Sequence, residues 1–275
     1  MSPKMVSPSL TEQLSTADRP LARQERFGQV FEDAGGGLTR RAVLGAGLAA
    51  AAATLLPACA PTPTTLLPAG LTPPIRSRAT WGADLPPLRP MRIERVGDVR
   101  FLLVHHTASS NDYAPGDVGG LLRGFYRYHT SRVKGWPDIA YNFLIDRYGN
   151  VWEGRTGSLH APVCGDATGG SQGFALLCCF VGDHTTVAPT RSARAAMLRM
   201  LAALATAYRI DTRPGARTQF VSRGSGRYPT GRRVTTATIA GHRDMSTTAC
   251  PGDAAYADVR TRYPADVTAL RVAYR

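Results

Sequence analysis

Three polar groups in this chain stand where apolar segments run out. His105, or its neighbour His106, ends the run at residues 101–105; His242 follows residues 235–241; Cys250 comes eight residues after His242. A sheet would present such side chains at its rim. Histidine and cysteine are the ligand types zinc favours most, and three protein ligands leave a fourth tetrahedral position open to water. Two neutral imidazoles and one thiolate leave such a site with a net charge of about +1, enough to lower the pKa of bound water toward neutrality. Spacing alone leaves a second reading open for each residue. A histidine after a strand also serves packing or hydrogen bonding, and Cys250 also reads as a buried, inert thiol.

The elements that must hold these residues can be read from periodicity. Residues 101–105 form a short apolar run that breaks into a polar loop at 107–112, the signature of a buried strand. Residues 116–131 place Val118, Leu121, Leu122, Phe125, Tyr126 and His129 on one face of an amphipathic helix. Residues 139–146 alternate, turn at 147–150 and return at 151–153, which predicts a hairpin. Residues 173–181 read as another apolar strand. Residues 190–208 read as a helix with Thr190 as N-cap and Met197, Leu198, Leu201, Leu204 and Tyr208 inward. The Gly/Arg/Ser-rich stretch 211–233 reads as an exposed excursion, and helical pieces close the chain after Asp253. Strands and helices mixed without an internal repeat make the class α/β.

Composition sets the context. Lysine occurs only at Lys4 and Lys134, so the formal charge of +13 is nearly all arginine. The arginines are scattered, with no basic run carrying interleaved aromatics, and nucleic acid is not expected as a partner. A diffuse positive field favours approach to a polyanionic surface such as a cell wall. Thr39-Arg40-Arg41 runs directly into an uncharged apolar stretch at 42–56, and that stretch of 15 residues is too short to span a membrane as a helix. The order resembles a twin-arginine export signal. Leu56-Pro57-Ala58-Cys59 resembles a lipobox, which would make Cys59 a lipidation site; Ala58-Cys59-Ala60 equally fits a cleavage site that releases a soluble protein. The expected organisation is a leader at 1–59, a Pro/Thr-rich linker at 60–74 and a folded domain at 75–275. An exported chain has little use for a spare thiol unless it pairs or binds something, which favours the ligand reading of Cys250.

Four motifs occur in order: Leu103-Val104-His105-His106-Thr107-Ala108; residues 135–146, Gly-Trp-Pro-Asp-Ile-Ala-Tyr-Asn-Phe-Leu-Ile-Asp; residues 149–155, Gly-Asn-Val-Trp-Glu-Gly-Arg; and residues 241–252, Gly-His-Arg-Asp-Met-Ser-Thr-Thr-Ala-Cys-Pro-Gly. Together they resemble the type-2 N-acetylmuramoyl-L-alanine amidases and the peptidoglycan-recognition proteins, over about residues 76–270. Residues 78–83, Arg-Ala-Thr-Trp-Gly-Ala, resemble the opening of the bacterial members. The resemblance implies a single domain with a central mixed β-sheet flanked by helices. It implies zinc held by His105, His242 and Cys250, and hydrolysis of the amide between N-acetylmuramic acid and L-alanine by metal-activated water. It implies that Tyr141 polarises the scissile carbonyl, that Thr248 orients water or the oxyanion, and that His160 lines the substrate groove, a surface-loop histidine being the other reading. Trp136 reads either as a wall of that groove or as buried packing.

In the strand at 173–181, where some relatives carry a glutamate base, this chain has Phe-Ala-Leu-Leu-Cys-Cys-Phe and no carboxylate. His106 faces away from His105 because side chains alternate along a strand, and reads as structural. Asp244 reads as a carboxylate that fixes its loop. A disulfide from Cys164 to Cys178 or Cys179 is open beside the reading in which all three stay reduced. The rival function is a recognition protein that binds peptidoglycan without cutting it. On either reading the partner is peptidoglycan, the protein is exported to the cell envelope as a secreted or membrane-anchored monomer, and a lipid at Cys59 would tie it to the outer face of the membrane.

Overall fold

Two strands, β2 (Phe101–His106) and β5 (Ala175–Phe180), are buried at every position. They lie side by side and parallel in register from Phe101 beside Ala175 to His106 beside Phe180. A strand covered on both faces needs an unbroken apolar run, and Phe-Leu-Leu-Val and Ala-Leu-Leu-Cys-Cys-Phe supply it. The computed structural model describes residues 66–171 and 173–274, and these strands are the centre of its sheet. The spatial order is β1 (Ile75–Arg76), β4 (Val151–Glu153), β3 (Phe143–Ile145), β5, β2 and β8 (Ile239–Gly241). The sheet is mixed: β3 and β4 form an antiparallel hairpin, and the remaining neighbours run parallel.

Alternation along β2 and β5 divides the core in two. Leu102, Val104, Leu176, Cys178 and Phe180 pack under α3 (Arg191–Ala207), α4 (Asp253–Thr261) and α5 (Tyr263–Ala273). Phe101, Leu103, Leu177 and Cys179 face α2 (Val118–Thr130), whose Val118, Leu122, Phe125 and Tyr126 close over them. The helix α3 begins where its cap permits: Thr190 Oγ1 accepts the Ala193 N–H at 3.1 Å.

The structure corrects the sequence-based expectations in three places. The folded body starts before Ile75, because Leu67 and Leu71, inside the stretch assigned to the linker, are buried among the α3 and α5 side chains. The stretch 211–233 is not a plain excursion. It carries β6 (Arg217–Val221), which pairs antiparallel with β7 (Arg233–Ala237) and buries Phe220 and Val234. Of residues 139–146 only Phe143–Ile145 is strand, since Asn142 uses its side chain instead to bond Val163 O and the Leu177 N–H. Of the two readings open for Cys164, Cys178 and Cys179, the structure shows the reduced one: all three are free thiols, and the adjacent pair face opposite sides of the sheet as strand alternation requires.

One buried ion pair ties the short helix α1 (Ala79–Gly82) to the segment that precedes β3. Arg78 Nη1 donates to both oxygens of Asp138, at 2.8 and 3.1 Å, and the carboxylate also accepts the N–H groups of Ile139 and Thr156. Removing one member of such a pair leaves the other charged and buried. We therefore expect Asp138→Ala to lower the unfolding free energy by about 3–5 kcal/mol, read from the urea midpoint. A midpoint within error of the parent protein would show that the pair contributes nothing net.

Candidate metal and catalytic site

The register of β2 between β5 and β8 sets the site. Val104 lies beside Gly241, so His105 and His242 emerge next to each other as their strands end, with ring centroids 4.5 Å apart. Glycine is required at 241: a Cβ there would stand 2.8 Å from the Tyr256 ring and 3.0 Å from Pro251 Cδ. The turn after Gly241 is fixed by Asp244, which accepts the Gly241 N–H at 2.8 Å and the Tyr256 hydroxyl at 2.6 Å. This is the loop-fixing part the sequence predicts for that carboxylate.

Cys250 returns the chain to the same place. Arg243 N donates to Cys250 O at 2.9 Å, and Cys250 N donates to Thr248 Oγ1 at 3.2 Å. Cys250 Sγ accepts the His106 N–H at 3.4 Å and lies 3.6 Å from His105 Nδ1. Zinc bonds of 2.3 Å to sulfur and 2.0–2.1 Å to nitrogen at the tetrahedral angle put the two ligand atoms about 3.6 Å apart. The ligand atoms of His105, His242 and Cys250, one from each residue, all lie within 4.8 Å of one another. The donor set and its spacing fit zinc.

Burial controls the protonation of this cluster. It holds the His105 imidazole well below its usual range, helped by His242 and His106, and takes His242 down to about 4. Both rings are therefore neutral near pH 7, with lone pairs available. Burial pushes the Cys250 thiol the other way, to about 12, opposed by the His106 N–H and the Arg243 charge. His106 points to the opposite side, where its Nδ1 accepts the His184 N–H at 3.1 Å.

Tyr141 stands on the metal side of the sheet, its ring 5.2 Å from that of His105. Burial raises its phenol well above 10, and a hydrogen bond to Cys179 adds to the effect, so the hydroxyl keeps its proton. His129 packs between Tyr141 and Trp136, at 5.6 and 5.0 Å between centroids, and its Nδ1 accepts the Ala140 N–H. Trp136 is half-buried and reaches the cluster through that ring. Thr248 is half-buried beside Cys250. His160 is exposed in a turn where its N–H bonds Gly157 O, and no described contact joins its ring to the triad. Cys59 lies outside the described residues. Sequence reasoning gave no site role to His129 or Cys179. The available signal for Cys179 was its strand position, which falls beside His105 once the register is known.

Comparison with known proteins identifies relatives of this chain. A family model described as N-acetylmuramoyl-L-alanine amidase matches residues 95–253. Peptidoglycan recognition protein 1 of Mus musculus is 31% identical over 159 residues, 58% of this chain and 72% of the relative. A Homo sapiens N-acetylmuramoyl-L-alanine amidase is 30% identical over 196 residues, 69% of this chain but 28% of the longer relative. Among solved structures, Drosophila PGRP-LB superposes with a TM-score of 0.53 at 22% identity, covering 69% of this chain and 94% of that one. Drosophila peptidoglycan recognition protein SD superposes at 0.52 with 24% identity, covering 68% and 94%. These two share the fold.

The histidines also make the metal-free protein sensitive to acid. Five of the six are held below their ordinary pKa by burial: His105, His106 and His242 (the last two at about 4), His129 at about 3, and His184. Between pH 6.5 and 4 the unfolded chain binds protons that the folded chain refuses, so stability is complete above pH 6.5 and falls as pH drops. Each histidine contributes a slope of up to about 1.4 kcal/mol per pH unit in that window. Urea midpoints of the metal-free protein should therefore drop sharply from pH 7.5 to pH 5; a constant midpoint would mean the rings protonate in place.

Proposed function

This chain belongs to the N-acetylmuramoyl-L-alanine amidase family, and we propose that it is an active zinc hydrolase. Its substrate would be the amide between N-acetylmuramic acid and the L-alanine of the peptidoglycan stem peptide. The observation that carries this reading is the meeting of His105, His242 and Cys250 at zinc-ligand spacing beside a protonated Tyr141. Zinc held by these three side chains supplies a Lewis acid that acidifies water and polarises a carbonyl.

The chain's own groups do the rest. His105 and His242 offer neutral nitrogens without first losing a proton. Cys250 must give up its proton to bind, and the His106 N–H steadies the resulting thiolate. Tyr141 donates its phenolic hydrogen bond where negative charge develops on the scissile carbonyl oxygen. Thr248 receives the Cys250 N–H on its hydroxyl oxygen, which leaves the hydroxyl proton free to orient water or the oxyanion. Trp136, backed by His129, forms one wall of the groove, and the exposed His160 supplies a polar edge. The face of β5 next to His105 offers a thiol, Cys179, and no carboxylate, so no base comes from that strand.

In this reading the leader at 1–59 exports the protein, Cys59 is the candidate lipid attachment point, and the amidase domain works as a monomer in the cell envelope. Among the described residues no helix is long and apolar enough to cross a membrane.

The test is incubation of the purified protein with peptidoglycan, with product masses recorded before chelation, after it, and after zinc is restored. Free stem peptides with an L-alanine amine terminus should appear, vanish and return in that order. Zinc bound and wall retained but never cut would replace the enzyme reading by peptidoglycan recognition alone. In the same assay Tyr141→Phe should keep its zinc and lose roughly 100- to 1000-fold in kcat, the effect of removing one oxyanion donor. An unchanged kcat would take Tyr141 out of the mechanism.

A further inference from the structure

The end of α5 and the loop that follows α3 build a surface the amidase reading does not use. A cleft of about 520 Å³ is lined there by Arg209, Arg213 and Arg271, together with Thr206, Thr268 and Val272. A smaller cleft of about 130 Å³ shares Arg213 and adds Arg217 and Arg260. Asp211 is the single carboxylate in the two linings, and Arg213 chelates it through Nε at 3.0 and 3.1 Å and Nη2 at 2.6 Å. With Asp244, 3.9 Å from Arg260, five arginines face two aspartates and leave a local formal charge of +3, from 5 − 2. Arg271 is held rigidly, donating to Thr206 Oγ1, Ile210 O and Thr212 Oγ1 at 2.7–3.1 Å.

Beside these charges stand exposed apolar side chains. Val272 is 62% exposed, Tyr274 52% and Leu66 43%. The Tyr274 ring lies against Gly70, within four residues of Leu66, and Arg199 donates to Gly70 O at 3.3 Å. Basic cleft, apolar rim and the point where the described chain begins thus share one end of the domain.

We propose that this end docks on an anionic phospholipid surface, with the guanidinium groups at the level of the headgroup phosphates and Val272 and Tyr274 at the interface. Guanidinium binds phosphate oxygens in a bidentate fork, and tyrosine favours the boundary between lipid and water. Two observations choose a bilayer over a soluble phosphate polymer. A polymer has no use for the exposed valine and tyrosine. Moreover, Leu66 is seven residues from Cys59, so a lipid on Cys59 would lie at most about 25 Å from this surface. Docking also leaves the site usable: α5 covers the sheet face bearing Leu102 and Val104, whereas His105 and Tyr141 belong to the other face. The proposal stands whether or not the chain cuts peptidoglycan.

The experiment uses the full chain with Cys59→Ser, so that no lipid is attached, and co-sedimentation with vesicles of phosphatidylcholine with and without phosphatidylglycerol. Binding is expected to the anionic vesicles alone and to weaken as salt rises. The pair Arg209→Gln and Arg213→Gln, both exposed, should weaken it on the order of 10-fold or more. Val272→Ser with Tyr274→Ser should weaken it without changing the salt dependence. Thermal melts matching the parent exclude misfolding as the cause. No binding to anionic vesicles, or equal binding by the arginine variant, overturns the proposal. Inorganic polyphosphate that binds as tightly and displaces the vesicles overturns it in favour of a phosphate polymer.

Discussion

A slip of β2 by one residue against its neighbours would turn His105 to the face under α3, α4 and α5 and bring His106 to the site. The parallel register that prevents this is fixed on both sides: Leu102 beside Leu176 and Ile239, Leu103 beside Leu177 and Ala240. Because both faces of β2 are buried, any slip would also exchange two sets of packed side chains. Apolar burial therefore enforces the position of the polar residue at the strand's end. Gly241 and Cys250 inherit that precision, the first through its place beside Val104, the second through the His106 N–H.

Burial also decides the charge state of everything near the triad. It is the largest influence keeping His105 and His242 neutral and Tyr141 protonated, states that suit a ligand and a hydrogen-bond donor. The same burial opposes ionisation of Cys250. The protein offsets this locally, with a backbone N–H on the sulfur and the Arg243 guanidinium nearby. One physical cause thus favours three members of the site and works against the fourth.

Much of this was legible beforehand, for reasons that differ by residue. β2, β5, the β3–β4 hairpin and α3 with its Thr190 cap follow from local periodicity and turn chemistry. The triad needed the ordered motifs, because His105 and Cys250 are far apart in the chain and spacing says nothing about their meeting. What escaped was non-local. Leu67 and Leu71 sit among prolines and threonines, so composition concealed two residues that the core accepts. β6, Arg-Thr-Gln-Phe-Val, and β7, Arg-Val-Thr-Thr-Ala, are mostly polar, and Phe220 and Val234 stand too isolated in them to signal a packed face. Cys179 and His129 acquire their places beside Tyr141 only through strand register and helix packing, neither of which a single sequence displays.

His106 serves the molecule twice through different atoms: its N–H meets the Cys250 sulfur, while its ring accepts the His184 N–H on the far side. The hydrogen bond to the ligand sulfur comes from a main-chain N–H, which every residue except proline possesses. Evolution can therefore exchange the side chain at this position, and retune the 183–187 loop with it, without withdrawing the hydrogen bond that steadies the sulfur. Variation of the side chain on one face of the strand thus leaves the backbone contact on the other face in place.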